Sequence, residues 1–165
     1  MKHAPKVFLY GLVFSFAHST LVGAASAHAQ PFEYVHPFHE RHVISIQPKS
    51  STVASGDRAS DAVFCIKAER YICVKSEWLN FAVPISKALT VSEWKFGDHT
   101  YIVRGRRELL MLGNSMNILD IESTQSSRTF RFLYSKERGL VALSVEVDGK
   151  PATFVLQGTK GFGRQ

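Results

Sequence analysis

Three histidines, His36, His39 and His42, recur at every third position and are the most prominent candidates for chemistry. Histidine is the commonest metal ligand among the side chains. In a strand, alternate residues point to opposite faces, so histidines three positions apart would diverge. In a helix they would converge, but Pro37 disfavours a helix here. The sequence therefore favours a solvated arm that carries histidines, with metal binding as the alternative.

The two cysteines, Cys65 and Cys73, are flanked by segments that alternate between apolar and polar residues in the manner of strands. A hairpin folded about Glu69 pairs Phe64 with Val74 and places Cys65 opposite Cys73. The register therefore predicts a disulfide. The spacing is not C-x-x-C and the chain has no other thiol, which disfavours a redox-active or metal-binding pair. Paired cysteines are typical of exported proteins.

Arg104, Arg106 and Arg107 cluster around Gly105 and are the candidates for ligand binding. Guanidinium groups bind phosphate and carboxylate through parallel hydrogen bonds, so these residues would recognise an anionic group on a lipid, a glycan or a protein. Solvated charges at the ends of strands are common on any protein surface. Both interpretations stay open at this point.

No catalytic or cofactor-binding motif accompanies these residues. The chain contains no G-x-S-x-G, no H-E-x-x-H and no phosphate-binding glycine loop. His99 stands apart from any serine or cysteine spaced as a nucleophile. We therefore predict no cofactor and favour a non-enzymatic protein. The alternative is an envelope hydrolase or inhibitor-like protein whose site is assembled from distant residues.

The elements that must position these residues are strands. Short apolar segments alternate with turns that contain glycine, asparagine or aspartate. Near the C terminus, Gly139 supplies a left-handed residue between two strands, and Asp148-Gly149 forms the turn into a third. One face of these three strands is predicted to carry Phe130, Phe132, Tyr134, Val141, Leu143, Val145, Ala152, Phe154 and Leu156. Such a face indicates a core, so we predict no nucleic-acid partner although basic residues alternate with the aromatics.

The regular alternation of short apolar segments with turns predicts an all-β fold. We expect an antiparallel meander curved into a half-barrel or a small barrel. No segment of the mature chain has the apolar spacing of an amphipathic helix, although 86–93 has room for one helical turn. We expect residues 61–165 to form this single domain. Residues 30–60, which contain Pro31 and Pro37 and a stretch of serine, glycine and aspartate, are predicted to form an extended or flexible arm.

The first 29 residues have the features of a cleavable secretory signal peptide. Lys2 and Lys6 precede an apolar run over 7–22, and Ala27-His28-Ala29 fits the cleavage pattern before Gln30. The alternative is an uncleaved membrane anchor. Cleavage leaves 136 residues, enough for one domain, and lowers the net charge from +6 to +4, too little to indicate a polyanionic partner. We predict a periplasmic or secreted protein without a transmembrane segment after cleavage.

A set of motifs from residue 81 onward carries a family resemblance. They are Phe81-Ala82-Val83-Pro84, Trp94 with Gly97, Tyr101-x-Val103, Leu112-Gly113, Arg131-Phe132-Leu133-Tyr134-Ser135-x-Glu137-Arg138-Gly139-Leu140, and Gly161-Phe162-Gly163. In these motifs the chain resembles a family of small secreted bacterial proteins with no known activity. The resemblance implies β architecture and a location in the cell envelope, and it implies no site residues. The leading hypothesis is a non-enzymatic exported domain that binds a lipid-like ligand in its concavity, or a protein partner.

Overall fold

The fold is given by a computed structural model that describes residues 30–66, 70–85, 90–111, 113–125, 128–147 and 150–164. The predicted signal peptide, residues 1–29, lies outside this part, as do residues 86–89 of the segment with room for a helical turn. The described residues form strands and no helix, which confirms the all-β prediction. No helix among them is long and apolar enough to cross a membrane.

The strands form one antiparallel sheet. They are β1 (Phe32–His36), β2 (His39–Gln47), β3 (Thr52–Ser55), β4 (Arg58–Phe64), β5 (Tyr71–Ser76), β6 (Asn80–Pro84), β7 (Glu93–Phe96), β8 (His99–Met111), β9 (Asn114–Gln125), β10 (Arg128–Ser135), β11 (Gly139–Val147) and β12 (Lys150–Leu156). Their order in the sheet is β6-β5-β4-β3-β2-β1-β12-β11-β10-β9-β8-β7. Two meanders are thus joined where β1 pairs with β12, with Tyr34 opposite Leu156. The sheet curves until it is nearly closed into a barrel, in agreement with the predicted half-barrel.

Side chains bridge the gap between the edge strands β6 and β7. The indole Nε1 of Trp94 donates a hydrogen bond to the carbonyl oxygen of Ala82 at 3.0 Å. The hydroxyl of Tyr71, on β5, donates to the carbonyl oxygen of Lys95 at 3.3 Å, and its ring packs against Phe96 with the centroids 5.3 Å apart. Side-chain contacts therefore close the barrel where the described strands share no backbone ladder.

Residues 30–60 differ from the predicted arm. They form β1, β2, β3 and the start of β4 within the barrel wall, and their apolar side chains Tyr34, Ile46 and Val53 are buried in the core. Each of these strands contributes only one or two inward apolar residues. Such residues are recognisable as core only once neighbouring strands supply the rest of the apolar surface.

The predicted common face of β10, β11 and β12 is confirmed except at one residue. A bulge after Leu133 pairs Tyr134 with Leu140. Val141 therefore lies outside the main core, in a second small apolar cluster with Leu133. A bulge adds one residue to one strand, so a strict alternation of faces fails beyond it.

After β12 the chain folds back across one end of the barrel as a C-terminal plug, residues 158–164. Phe162 is buried there, and its ring centroid lies 5.7 Å from that of Phe64. The backbone N–H of Leu140 donates to the carbonyl of Phe162 at 2.8 Å, and that of Gly161 donates to the carbonyl of Arg138 at 2.7 Å. The plug thus continues the hydrogen bonding of the barrel wall and covers one end of the core.

Tyr34 joins the plug to the wall from inside the barrel. Its hydroxyl donates to the carbonyl of Leu140 at 3.0 Å and accepts from the backbone N–H of Phe162 at 3.1 Å. Burial raises the pKa of Tyr34 far above its ordinary value, although the Phe162 N–H offsets part of this increase. The phenol therefore stays neutral at physiological pH and keeps both hydrogen bonds.

Gly161 offers a test of how closely the plug must approach the wall. A Cβ atom at this position would overlap the carbonyl oxygen of Leu140, which is held by Tyr34. We expect Gly161→Ala to lower the free energy of unfolding by about 2–3 kcal/mol in urea denaturation.

The matched control is Gly105→Ala, since a Cβ atom at Gly105 meets nothing within 4 Å. This change should alter the free energy of unfolding by less than about 0.5 kcal/mol. Equal losses for the two variants would contradict the close approach of the plug.

Candidate functional site

A cavity of about 280 Å³ opens between the strands, and we call it the mouth cavity. It is lined by Ile44, Val53, Ser55, Arg58, Trp78, Leu79, Arg128, Phe130, Leu143, Val145 and Phe154. In a meander, successive turns lie at alternate ends of the sheet. The starts of β4 and β10 and the turn between β5 and β6 therefore lie at the end opposite the plug. The mouth cavity is at the end that the plug does not cover.

The floor of the mouth cavity is apolar. Leu79, Phe130 and Leu143 line it and are almost completely buried. Space remains above them because small residues occupy the inward positions near this end: Val145 lies between Phe130 and Ala152 in the sheet. A volume of 280 Å³ equals that of roughly nine water molecules in the liquid. An apolar recess of this size suits a small partly apolar ligand.

Two arginines stand at the rim of the mouth cavity. Arg58 is the first residue of β4 and Arg128 the first of β10, and both are exposed to solvent. Their side chains line the same cavity although the residues are far apart in the chain. Among the described residues, neither takes part in an ion pair. Sequence analysis missed this pair because nothing local indicates that the two strand ends meet.

The three arginines predicted to bind a ligand lie on β8 and contact groups of the protein itself. Arg104 forms an ion pair with Glu122 at 2.6 Å, and the guanidinium of Arg107 lies 3.6 Å from the carboxylate of Asp120. Arg106 donates to the backbone carbonyl of Val91 at 2.9 Å. The hydrogen bond from Arg104 lowers the pKa of Glu122. These pairings account for the arginines on the wall, and ligand binding by them stays a prediction.

A second depression of about 300 Å³, as open to solvent as the mouth cavity, borders Arg106 and Arg107. Glu108 and Glu137 border it as well, so its charge is mixed. A hydrogen bond from Ser135 lowers the pKa of Glu137, which stabilises its anionic form. The depression is therefore less suited to an anion than the mouth cavity.

The three histidines of the repeat come together, contrary to the expectation that they diverge. The ring centroids are 4.9 Å apart for His36 and His39, 5.4 Å for His39 and His42, and 6.3 Å for His36 and His42. The reason is a register shift at the end of β1, where the chain turns into β2. Nevertheless, no three His, Cys, Asp or Glu side chains of the described residues are arranged to hold a metal ion. Metal binding stays a prediction.

His36 lies beside the mouth cavity. Its ring packs edge-on against Phe154, with the centroids 5.7 Å apart. Its Nδ1 accepts a hydrogen bond from the backbone N–H of Phe38 at 3.2 Å. In a neutral imidazole this bond assigns the proton to Nε2 and leaves no free lone pair for a metal. The contact with Phe154 makes His36 part of the wall that supports the cavity.

The predicted disulfide between Cys65 and Cys73 is present. The two Cα atoms are 4.7 Å apart, and Phe64 lies opposite Val74 as the hairpin register requires. The bond closes a short loop and is worth about 2.5 kcal/mol of stability on the chain-entropy model. It lies at the plug end of the barrel, where its contribution is structural.

Sequence analysis also missed a buried polar pair, Tyr101 on β8 and Ser123 opposite it on β9. Burial raises the pKa of Tyr101 far above its ordinary value, and the Ser123 hydroxyl offsets part of this effect. Trp94 stacks on the Tyr101 ring with the centroids 5.6 Å apart. Neither hydroxyl lines the mouth cavity. We assign this pair to the core.

No family model matches this chain, and neither a curated protein nor a solved structure matches it at a significant level. The family resemblance therefore stays a prediction. The function has to be inferred from the geometry of the site.

Proposed function

We propose that this chain is an exported, non-enzymatic β domain that binds a small, partly apolar ligand in the mouth cavity. The observation that carries the proposal is an apolar recess of about 280 Å³ at one end of a barrel whose other end is covered by Phe162. Leu79, Phe130 and Leu143 form the floor of this recess, and a ligand that enters it displaces water from these apolar side chains.

The size of the recess sets the size of the ligand. A volume of about 280 Å³ accommodates a ligand of roughly ten non-hydrogen atoms. At about 0.5 kcal/mol per atom, within the range found for small ligands, such a molecule binds with a dissociation constant on the order of 0.1 mM. A whole membrane lipid is too large, whereas a short-chain or single-ring amphiphile fits.

Export is supported by the disulfide and by the N-terminal sequence. A disulfide such as that between Cys65 and Cys73 persists in oxidising compartments and is rare in the cytosol. The charged start, apolar run and cleavage pattern of residues 1–29 are those of a secretory signal. The two features are independent, and both favour the periplasm or the exterior of a bacterial cell.

The carboxylates of β9 favour binding over catalysis. Asp120 contacts Arg131 at 2.7 Å and Arg107 at 3.6 Å, and Glu122 contacts Arg104. The hydrogen bond from Arg104 lowers the pKa of Glu122, so this carboxyl group is a poor proton donor at neutral pH. Both carboxylates form ion pairs with arginines of the barrel wall.

The cavity assignment is tested by filling the recess. Val145 is half-buried and lines it, so Val145→Phe should lower the affinity for the probe 1-octanol at least fivefold in calorimetric titration. Val155→Phe is the matched control, because Val155 is also half-buried but lies outside the cavity lining.

Both variants must retain the near-ultraviolet circular dichroism of the native chain. Failure of the native chain to bind 1-octanol, or equal binding by Val145→Phe, would contradict the proposal.

Export is tested by mass spectrometry of the protein produced in a bacterial host. The mature chain should begin at Gln30 and be two hydrogens lighter than its reduced form, because Cys65 and Cys73 are bonded. A chain that keeps residues 1–29, or that carries two free thiols, would contradict export through a cleaved signal.

A further inference from the structure

We infer that the ligand of the mouth cavity is a small organic anion, an amphiphile whose acidic group is bound by Arg58 and Arg128. This inference rests on the proposed function and specifies its ligand class. It depends on the charges that line the cavity and on the partners that each arginine of the barrel has.

The charge of the cavity lining has one sign. Arg58 and Arg128 are its only charged residues, and Asp and Glu are absent from the lining within the described chain. The two guanidinium groups come from opposite halves of the sheet, since β4 and β10 are separated by five strands. The curvature of the sheet brings both residues to one cavity, where they place two positive charges above an apolar floor.

The arginines of the outer wall show how this barrel neutralises charge elsewhere. Arg104 has Glu122, and Arg107 and Arg131 share Asp120. At the mouth the described residues supply no such carboxylate ion pair to Arg58 or Arg128. An anion that enters the cavity would give Arg58 and Arg128 the negatively charged partner that Glu122 and Asp120 give to the arginines of the wall.

The surroundings strengthen an ionic contact at this place. Trp78 and Phe130 line the cavity together with the two arginines, so part of the space around the guanidinium groups is apolar. Charge–charge attraction is stronger where water is partly excluded, and a guanidinium binds a carboxylate in a planar, two-bond geometry. The apolar part of the same ligand would occupy the floor formed by Leu79 and Leu143.

Two probes of matched shape separate the ionic contribution from the apolar one. Octanoate and 1-octanol have the same eight-carbon chain, and octanoate is an anion at pH 7. At low salt we expect the native protein to bind octanoate about tenfold more tightly than 1-octanol in calorimetric titration. The double variant Arg58→Gln/Arg128→Gln should bind 1-octanol as the native protein does and lose the preference for octanoate.

The control variant is Arg70→Gln, which removes one exposed positive charge at the plug end of the barrel. It should keep the tenfold preference, because the charge it removes is remote from the mouth cavity. Retention of the preference would show that removing a positive charge elsewhere on the barrel does not abolish it.

The failures of the two proposals differ. Equal affinity of the native protein for octanoate and 1-octanol would overturn the anion inference and leave the binding function standing. A preference that survives in the double variant would overturn the assignment to Arg58 and Arg128. Absence of binding for both probes would overturn the proposed function and the inference with it.

Discussion

The hydroxyl of Tyr34 holds the C-terminal plug against the wall of the barrel. It bonds to the backbone of Leu140 in the wall and to that of Phe162 in the C-terminal plug. The sheet by itself would leave both ends of the core exposed to water. A buried hydroxyl without hydrogen-bond partners would lower the stability of the fold, and Tyr34 has two partners. Because Tyr34 fixes Phe162 across one end, the barrel has one end that the plug covers and one that it does not.

This asymmetry explains why the candidate site is where it is. At the covered end the interior is filled by aromatic rings, with Phe162 packed against Phe32, Phe64 and Phe81. Such packing fills the interior around the Phe162 ring. At the opposite end the inward residues become smaller, as at Val145 and Ala152, and a recess results. The hydrogen bond from Trp94 to Ala82 holds the edge strands β6 and β7 together.

The sequence predicts those features that depend on neighbours along the chain. The disulfide and the meander of β10–β12 follow from alternation and turn residues, because each hairpin brings adjacent segments together. The pairing of β1 with β12, the docking of Phe162 and the meeting of Arg58 with Arg128 join distant segments, for which a single sequence carries no local signal. The displacement of Val141 results from a bulge, and strict alternation cannot anticipate it.

The most direct test of the account is methyl nuclear magnetic resonance of the native protein titrated with octanoate. The account predicts chemical-shift changes in the methyl groups of the mouth cavity, which belong to Ile44, Val53, Leu79, Leu143 and Val145. The methyl groups of Ile72, which lies against the plug at Gly163, should not shift. Shifts confined to Ile72, or to Met116 and Ile118 of the second apolar cluster that contains Val141, would contradict binding at the mouth end. The absence of any shift would contradict it as well.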